Sequence, residues 1–135
     1  MTPTLMLQIS AVIAFLFAVG HTLGGRKRWS PMGENAVLKA MAEVRFDTMG
    51  ANRSYLDFFM GFGWSLSVLM LLEAVLLWQM APLAMSNPEA ARPMIAAFAV
   101  ATLGTGVIAW RYIFPLPAIF SGVLLAALLA AYVLT

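Results

Sequence analysis

Apolar residues run almost without interruption through four stretches of the chain, 4–23, 55–81, 91–114 and 115–134. Each is close to the ~20 residues that carry an α-helix across ~30 Å of hydrocarbon at ~1.5 Å per residue. The pattern predicts four transmembrane helices. Chain breakers stand at their ends: Gly24-Gly25 after the first, Pro82 and Ser86-Asn87-Pro88 after the second, and Pro115-Leu116-Pro117 as a tight turn between the third and fourth. Proline lacks the N–H that a helix interior needs, and its ring crowds the preceding turn. No repeat of fixed period divides the series, so a single integral membrane domain over 1–135 is expected.

The segment 24–54 between the first two spans has a different pattern. Ser30-Pro31 supplies helix-start chemistry. Across 35–49, Val37, Met41, Val44 and Thr48 recur at helical spacing, with Lys39, Glu43 and Asp47 at intervals of four on another side. That spacing predicts a short amphipathic helix at the membrane interface. The expected fold class is therefore all-α, a four-helix transmembrane bundle with an interfacial amphipathic helix between spans 1 and 2. Packing under the bundle as a lid and recognition of anionic lipid or a partner are both open to such a helix.

Composition sharpens this picture. The chain is 62% hydrophobic and 10% charged, whereas soluble domains average roughly 45–50% apolar and about 25% charged residues. A water-soluble core and a disordered chain are both excluded. With no Cys, the chain has no disulfide scaffold, no thiolate metal site and no dithiol redox chemistry. Six of the eight Lys and Arg residues lie in 24–54, and none precedes the first span. By the positive-inside rule that loop is cytoplasmic and both termini face outward, as in a multi-pass protein of a bacterial inner membrane. The first span carries no basic start and is followed at once by Arg26-Lys27-Arg28, so it reads as a retained span rather than a cleaved signal. Trp29, Tyr55, Trp78, Trp110 and Tyr112 fall near span ends, as an aromatic belt requires. Topology accounts for the basic cluster, and the expected partner is membrane lipid, not nucleic acid.

Against so apolar a background, ionisable residues inside spans carry the functional information, because each costs several kcal/mol there unless it meets a partner or a cavity. Glu73 has four apolar residues on either side and lies roughly 10 Å inside the outer end of span two near Met80. Depth counting brings Gln8, Thr102 and Tyr132 towards the same outer half of the bundle. These four residues are candidate ligand-binding positions. A ligand-binding or proton-carrying carboxyl is one reading; a carboxyl that bonds to Gln8 or a backbone carbonyl as interhelical glue is the other.

A second group sits at the opposite membrane surface, where His21 closes span one, Asp57 opens span two and Arg111 closes span three. A carboxylate beside an imidazole fixes its tautomer, so the three are candidate catalytic residues. A ring of anchoring charges at span ends uses the same residues. Glu73 and Asp57 are sixteen residues apart, roughly 24 Å along a helix, and cannot act as paired carboxylates. One His and no Cys exclude bis-His haem within the chain, and no metal or other cofactor is expected.

Small residues recur at intervals of four: Gly61 and Ser65, Gly63 and Ser67, Ala97, Ala101, Thr105 and Ala109, and Gly122, Ala126 and Ala130. Such ladders predict close helix contacts.

Gly20-His21 at the end of span one, a Pro-containing basic loop with an amphipathic stretch around Met41, and Gly61-Phe62 leading span two resemble a group of uncharacterised small four-helix bacterial inner-membrane proteins. The resemblance covers the first half of the chain and implies no activity. Members of that group place a His shortly after the Gly-Phe pair; this chain reads Gly61-Phe62-Gly63-Trp64-Ser65-Leu66, without one. Four short spans with a solitary membrane Glu are also similar in architecture to the small multidrug resistance transporters, whose glutamate lies in their first helix.

The sequence thus favours a helical bundle that binds an apolar or amphiphilic small molecule or lipid, with Glu73 as its buried polar anchor. A proton-coupled transporter acting as a homodimer and an accessory subunit of a larger membrane complex are the alternatives. An enzyme built on His21, Asp57 and Arg111 is the least favoured reading.

Overall fold

The fold was obtained as a computed structural model, which describes residues 2–135. In chain order the elements are α1 (Pro3–Gly25), α2 (Ala36–Glu43), β1 (Arg45–Thr48), β2 (Ala51–Ser54), α3 (Tyr55–Ser86), α4 (Pro88–Tyr112) and α5 (Pro115–Leu134). Of these, α1, α3, α4 and α5 are long and apolar enough to cross a membrane. The chain divides into two compact units: the residues up to Phe17 with Met70–Thr135, and Ala18–Leu69.

In the first unit the core comes from α1, α3, α4 and α5, and eight of its fifteen buried apolar residues are alanine. Small side chains let backbones approach closely, which is how helices associate when the surroundings are as apolar as the core. Leu7, Leu77, Ile95 and Leu128 fill the centre and are fully buried. Phe17 and Phe120 stack at 5.0 Å between ring centroids. Many other large apolar residues face outward: Val100 is 71% exposed and Val133 77%. A water-soluble monomer does not present so large an apolar exterior.

The contact faces differ from those the small-residue ladders predict. On α4 the buried residues are Ala91, Ile95, Ala99, Thr102 and Ala109, and Ala97, Ala101 and Thr105 are exposed. On α5 they are Ser121, Leu124, Leu128 and Ala131, with Gly122 and Ala126 exposed. An interval of four marks a stripe without fixing which way the stripe points, and these helices carry small residues on more than one face.

Pro82 does not end its helix. Its missing N–H leaves one carbonyl unmatched, yet α3 continues to Ser86, whose hydroxyl donates to the Pro82 carbonyl at 3.3 Å. The chain turns at Asn87, whose side-chain oxygen accepts the Ala90 N–H at 3.2 Å. Pro88 follows at the first helical position, where a missing N–H costs nothing.

In the second unit the helix expected over 35–49 is shorter. It covers Ala36–Glu43, capped by Asn35 accepting from the Leu38 N–H. Val44, Phe46 and Thr48 follow a period of two as well as they follow a helical one, and β1 pairs antiparallel with β2 from Arg45↔Ser54 to Thr48↔Ala51. Met49 (φ +48°) and Gly50 (φ +80°) close the hairpin. Positive φ at both positions is a type I′ turn, in which Asn-Gly is the usual pair. Methionine in the left-handed region costs about 1 kcal/mol.

The end of α1 is shaped by a second left-handed pair, Arg28 (φ +51°) and Trp29 (φ +46°). The Trp29 N–H donates to the Gly24 carbonyl at 3.0 Å and the Arg28 N–H to Gly25 at 2.9 Å, satisfying helix-end carbonyls as the chain reverses. The reversal returns the Trp29 indole to the helices.

Candidate functional site

Glu73 lies on α3, half-buried, with Thr102 of α4 as its polar neighbour. No hydrogen bond of ordinary geometry joins them. The Thr102 side-chain oxygen is fully buried and has no partner among the described residues. The Thr102 backbone carbonyl, by contrast, accepts from the Thr105 hydroxyl at 3.0 Å. A buried hydroxyl without a partner costs roughly 1–3 kcal/mol, so such groups are uncommon and draw a hydrogen-bonding companion where one can reach them.

The other two residues of the expected outer layer are engaged differently. Gln8 makes no hydrogen bond to Glu73 among the described residues; it lines a shallow apolar depression on α1 with Ile9, Val12 and Ile13. Tyr132 packs against the core and carries the Arg92 guanidinium 4.7 Å above its ring, a cation–π contact between the start of α4 and the end of α5. The structure therefore joins Glu73 with Thr102 and gives Gln8 and Tyr132 separate neighbours.

A groove of about 380 Å3 runs between α1 and the second half of α3, with Ala11, Val12 and Phe15 on one wall and Leu71, Val75 and Trp78 on the other. Gln79 is its polar residue, and Glu73 does not line it. On a helix of 3.6 residues per turn, Glu73 projects from the side roughly opposite Leu71, Val75 and Trp78.

In the second unit, His21 and Asp57 take distinct roles. The Asp57 carboxylate accepts the Ser54 N–H at 2.8 Å while the Ser54 hydroxyl accepts the Asp57 N–H at 3.0 Å. This reciprocal capping box starts α3. Arg45 approaches the same carboxylate at 3.9 Å. His21 instead has its Nδ1 3.0 Å from the Ser67 hydroxyl, and no hydrogen bond or ion pair links it to Asp57 among the described residues. Arg111 belongs to the other unit, in the last turn of α4, with its guanidinium 5.3 Å from the Tyr112 ring centroid. Among the described residues no His–carboxylate pair is formed.

What surrounds His21 is an aromatic clamp. The Trp29 indole N–H donates to the His21 carbonyl at 2.8 Å. The Trp29 ring lies 5.1 Å from the His21 ring, 5.0 Å from Trp64 and 6.3 Å from Phe59. Gly24, Gly25 and Gly63 form the slot that receives it: a Cβ on Gly25 would come within 2.8 Å of the Trp29 and Trp64 rings, and one on Gly63 would enter the indole itself.

Sequence reasoning places Trp29 in an aromatic belt and does not foresee the clamp, which depends on the left-handed turn. The Ser54-x-x-Asp57 spacing ahead of an apolar run is a capping-box signature that could have identified the role of Asp57 beforehand. Among the described residues, no group of three or more His, Cys, Asp or Glu is placed to hold a metal ion.

Comparison with protein-family models, with curated proteins and with solved structures finds no match to this chain.

Proposed function

We propose that this chain is a multi-pass membrane protein whose helical bundle binds an apolar or amphiphilic small molecule or a lipid, with Glu73 as its polar anchor. The observation that carries the reading is the pair formed by Glu73 and Thr102. A carboxyl and a buried hydroxyl are neighbours on two membrane-length helices, and among the described residues the hydroxyl has no hydrogen-bond partner of ordinary geometry. A ligand headgroup or hydroxyl placed between them would bond to both. Glu73 is only partly covered, so such a group has a path to it. In this reading loop 24–54 faces the cytoplasm beneath a bacterial inner membrane, α2 lies in the interface and both termini face outward.

The test is thermal unfolding in detergent with membrane lipid extract added back. The wild-type melting temperature should rise with extract, and Glu73→Ala and Thr102→Val should lose that response while folding normally without it. Both variants responding like wild type would remove the proposal. A second copy of the chain or a basic partner subunit facing Glu73 predicts a different outcome, in which melting depends on protein concentration or on the partner rather than on extract.

A further inference from the structure

We propose that the β1–β2 hairpin is a lipid anchor, its Met49 tip inserted into an anionic bilayer surface and nearby cations held on the lipid phosphates. The proposal requires α3 to cross that bilayer and is independent of whether Glu73 binds anything.

The first observation is the tip itself. Met49 occupies a left-handed position that Asn or Gly fills at lower cost, and its side chain is wholly exposed. Local turn chemistry and water both disfavour methionine there. An apolar medium around the tip favours it, and methionine is flexible enough to fit one.

The second observation locates the hairpin against the span. Phe46 of β1 packs on Tyr55 and Phe58 of α3 with ring centroids 5.1 and 5.2 Å apart, and Phe58 continues to Phe62 at 6.1 Å. Phe62 is 71% exposed. The aromatic row thus leads from the hairpin along an outward side of the first two turns of α3. A hairpin fixed to that row lies beside a membrane-length helix, at the level where the helix would enter the bilayer.

Charge supplies the third. Arg28, Lys39 and Arg45 have acidic partners in Glu34, Glu43 and Asp57, whereas Arg26, Lys27 and Arg53 have none among the described residues. Arg53 pairs directly with Phe46 in the hairpin register, so both side chains stand on the same face. Arg53 beside exposed apolar side chains at the entrance of α3, with Arg26 and Lys27 just past the end of α1, matches an anionic lipid surface. A soluble partner would account for the cations but not for the aromatic row along the span.

The chain has no Cys, so Met49→Cys in the full-length protein accepts a single nitroxide. In phosphatidylcholine vesicles containing phosphatidylglycerol, its ratio of oxygen to nickel-chelate collisions should be several-fold higher than that of a label at Glu43→Cys. Pure phosphatidylcholine, or glutamine at Arg26, Lys27 and Arg53 together, should lower the ratio. A water-like ratio at Met49→Cys in anionic vesicles overturns the proposal, and so does a lipid-like ratio unaffected by either change. Quenching of Met49→Trp by brominated lipid gives an independent reading, expected in anionic vesicles and contradicting the proposal if it is absent.

Discussion

Alanine at Gly63 is expected to destabilise the protein by about 1–3 kcal/mol, the usual cost of forcing extra volume into a packed site. Alanine at Gly61, two residues earlier in the same helix, is expected to stabilise it by about 0.5–1 kcal/mol through helix propensity alone. The two glycines look alike in sequence, each four residues ahead of a serine. Their surroundings set the signs. A Cβ on Gly61 meets nothing within 4 Å, while one on Gly63 enters the Trp29 ring. The indole has little room to yield, because its N–H is bonded to the His21 carbonyl and its ring packs against His21 and Trp64. Moving it would also disturb the left-handed turn at Arg28 and Trp29. Unfolding of both variants in detergent, followed by tryptophan fluorescence, reads the sign directly. Equal effects at the two positions would mean that Trp29 is not seated in the glycine slot.

Leu128→Ala should cost about 2 kcal/mol, at the low end of the range for leucine truncation in a core. Leu128 is 0% exposed and lies in the core cluster with Leu77 and Ile95. In a bilayer the unpacked side chain passes to lipid rather than water, so the lost dispersion contacts and the residual cavity make up most of the cost. Val100→Ala, at a site 71% exposed, removes volume from the lipid-facing exterior and should change stability by less than about 0.5 kcal/mol. Reversible unfolding in mixed micelles separates the two. A Val100→Ala effect as large as that of Leu128→Ala would contradict the placement of Leu128 in the core and Val100 on the exterior.

The four long helices were legible because unbroken apolar runs of bilayer length have few alternative explanations. Their ends were less so: Pro82 reads as a stop, but α3 absorbs it, and the break at Asn87-Pro88 terminates the helix. The hairpin was hidden because Val37, Met41, Val44 and Thr48 satisfy a helical period while Val44, Phe46 and Thr48 also satisfy a strand period. Met49-Gly50 lacks the Asn or Asp that marks such a turn. Depth counting brought Thr102 to the level of Glu73, where the structure has it as a neighbour. Depth does not fix rotation about a helix axis, so it also grouped Gln8 and Tyr132, which face an apolar depression and Arg92. The same lack of rotational information placed His21 with Asp57, although Asp57 is engaged by Ser54 in starting its helix.

Native mass spectrometry of the protein released from detergent micelles tests the role of Glu73 most directly. Wild type should carry a bound lipid or apolar molecule of defined mass, with Glu73→Gln reducing its occupancy and Glu73→Ala and Thr102→Val abolishing it in folded protein. Equal occupancy in wild type and all three variants would contradict the assignment of Glu73 as the polar anchor.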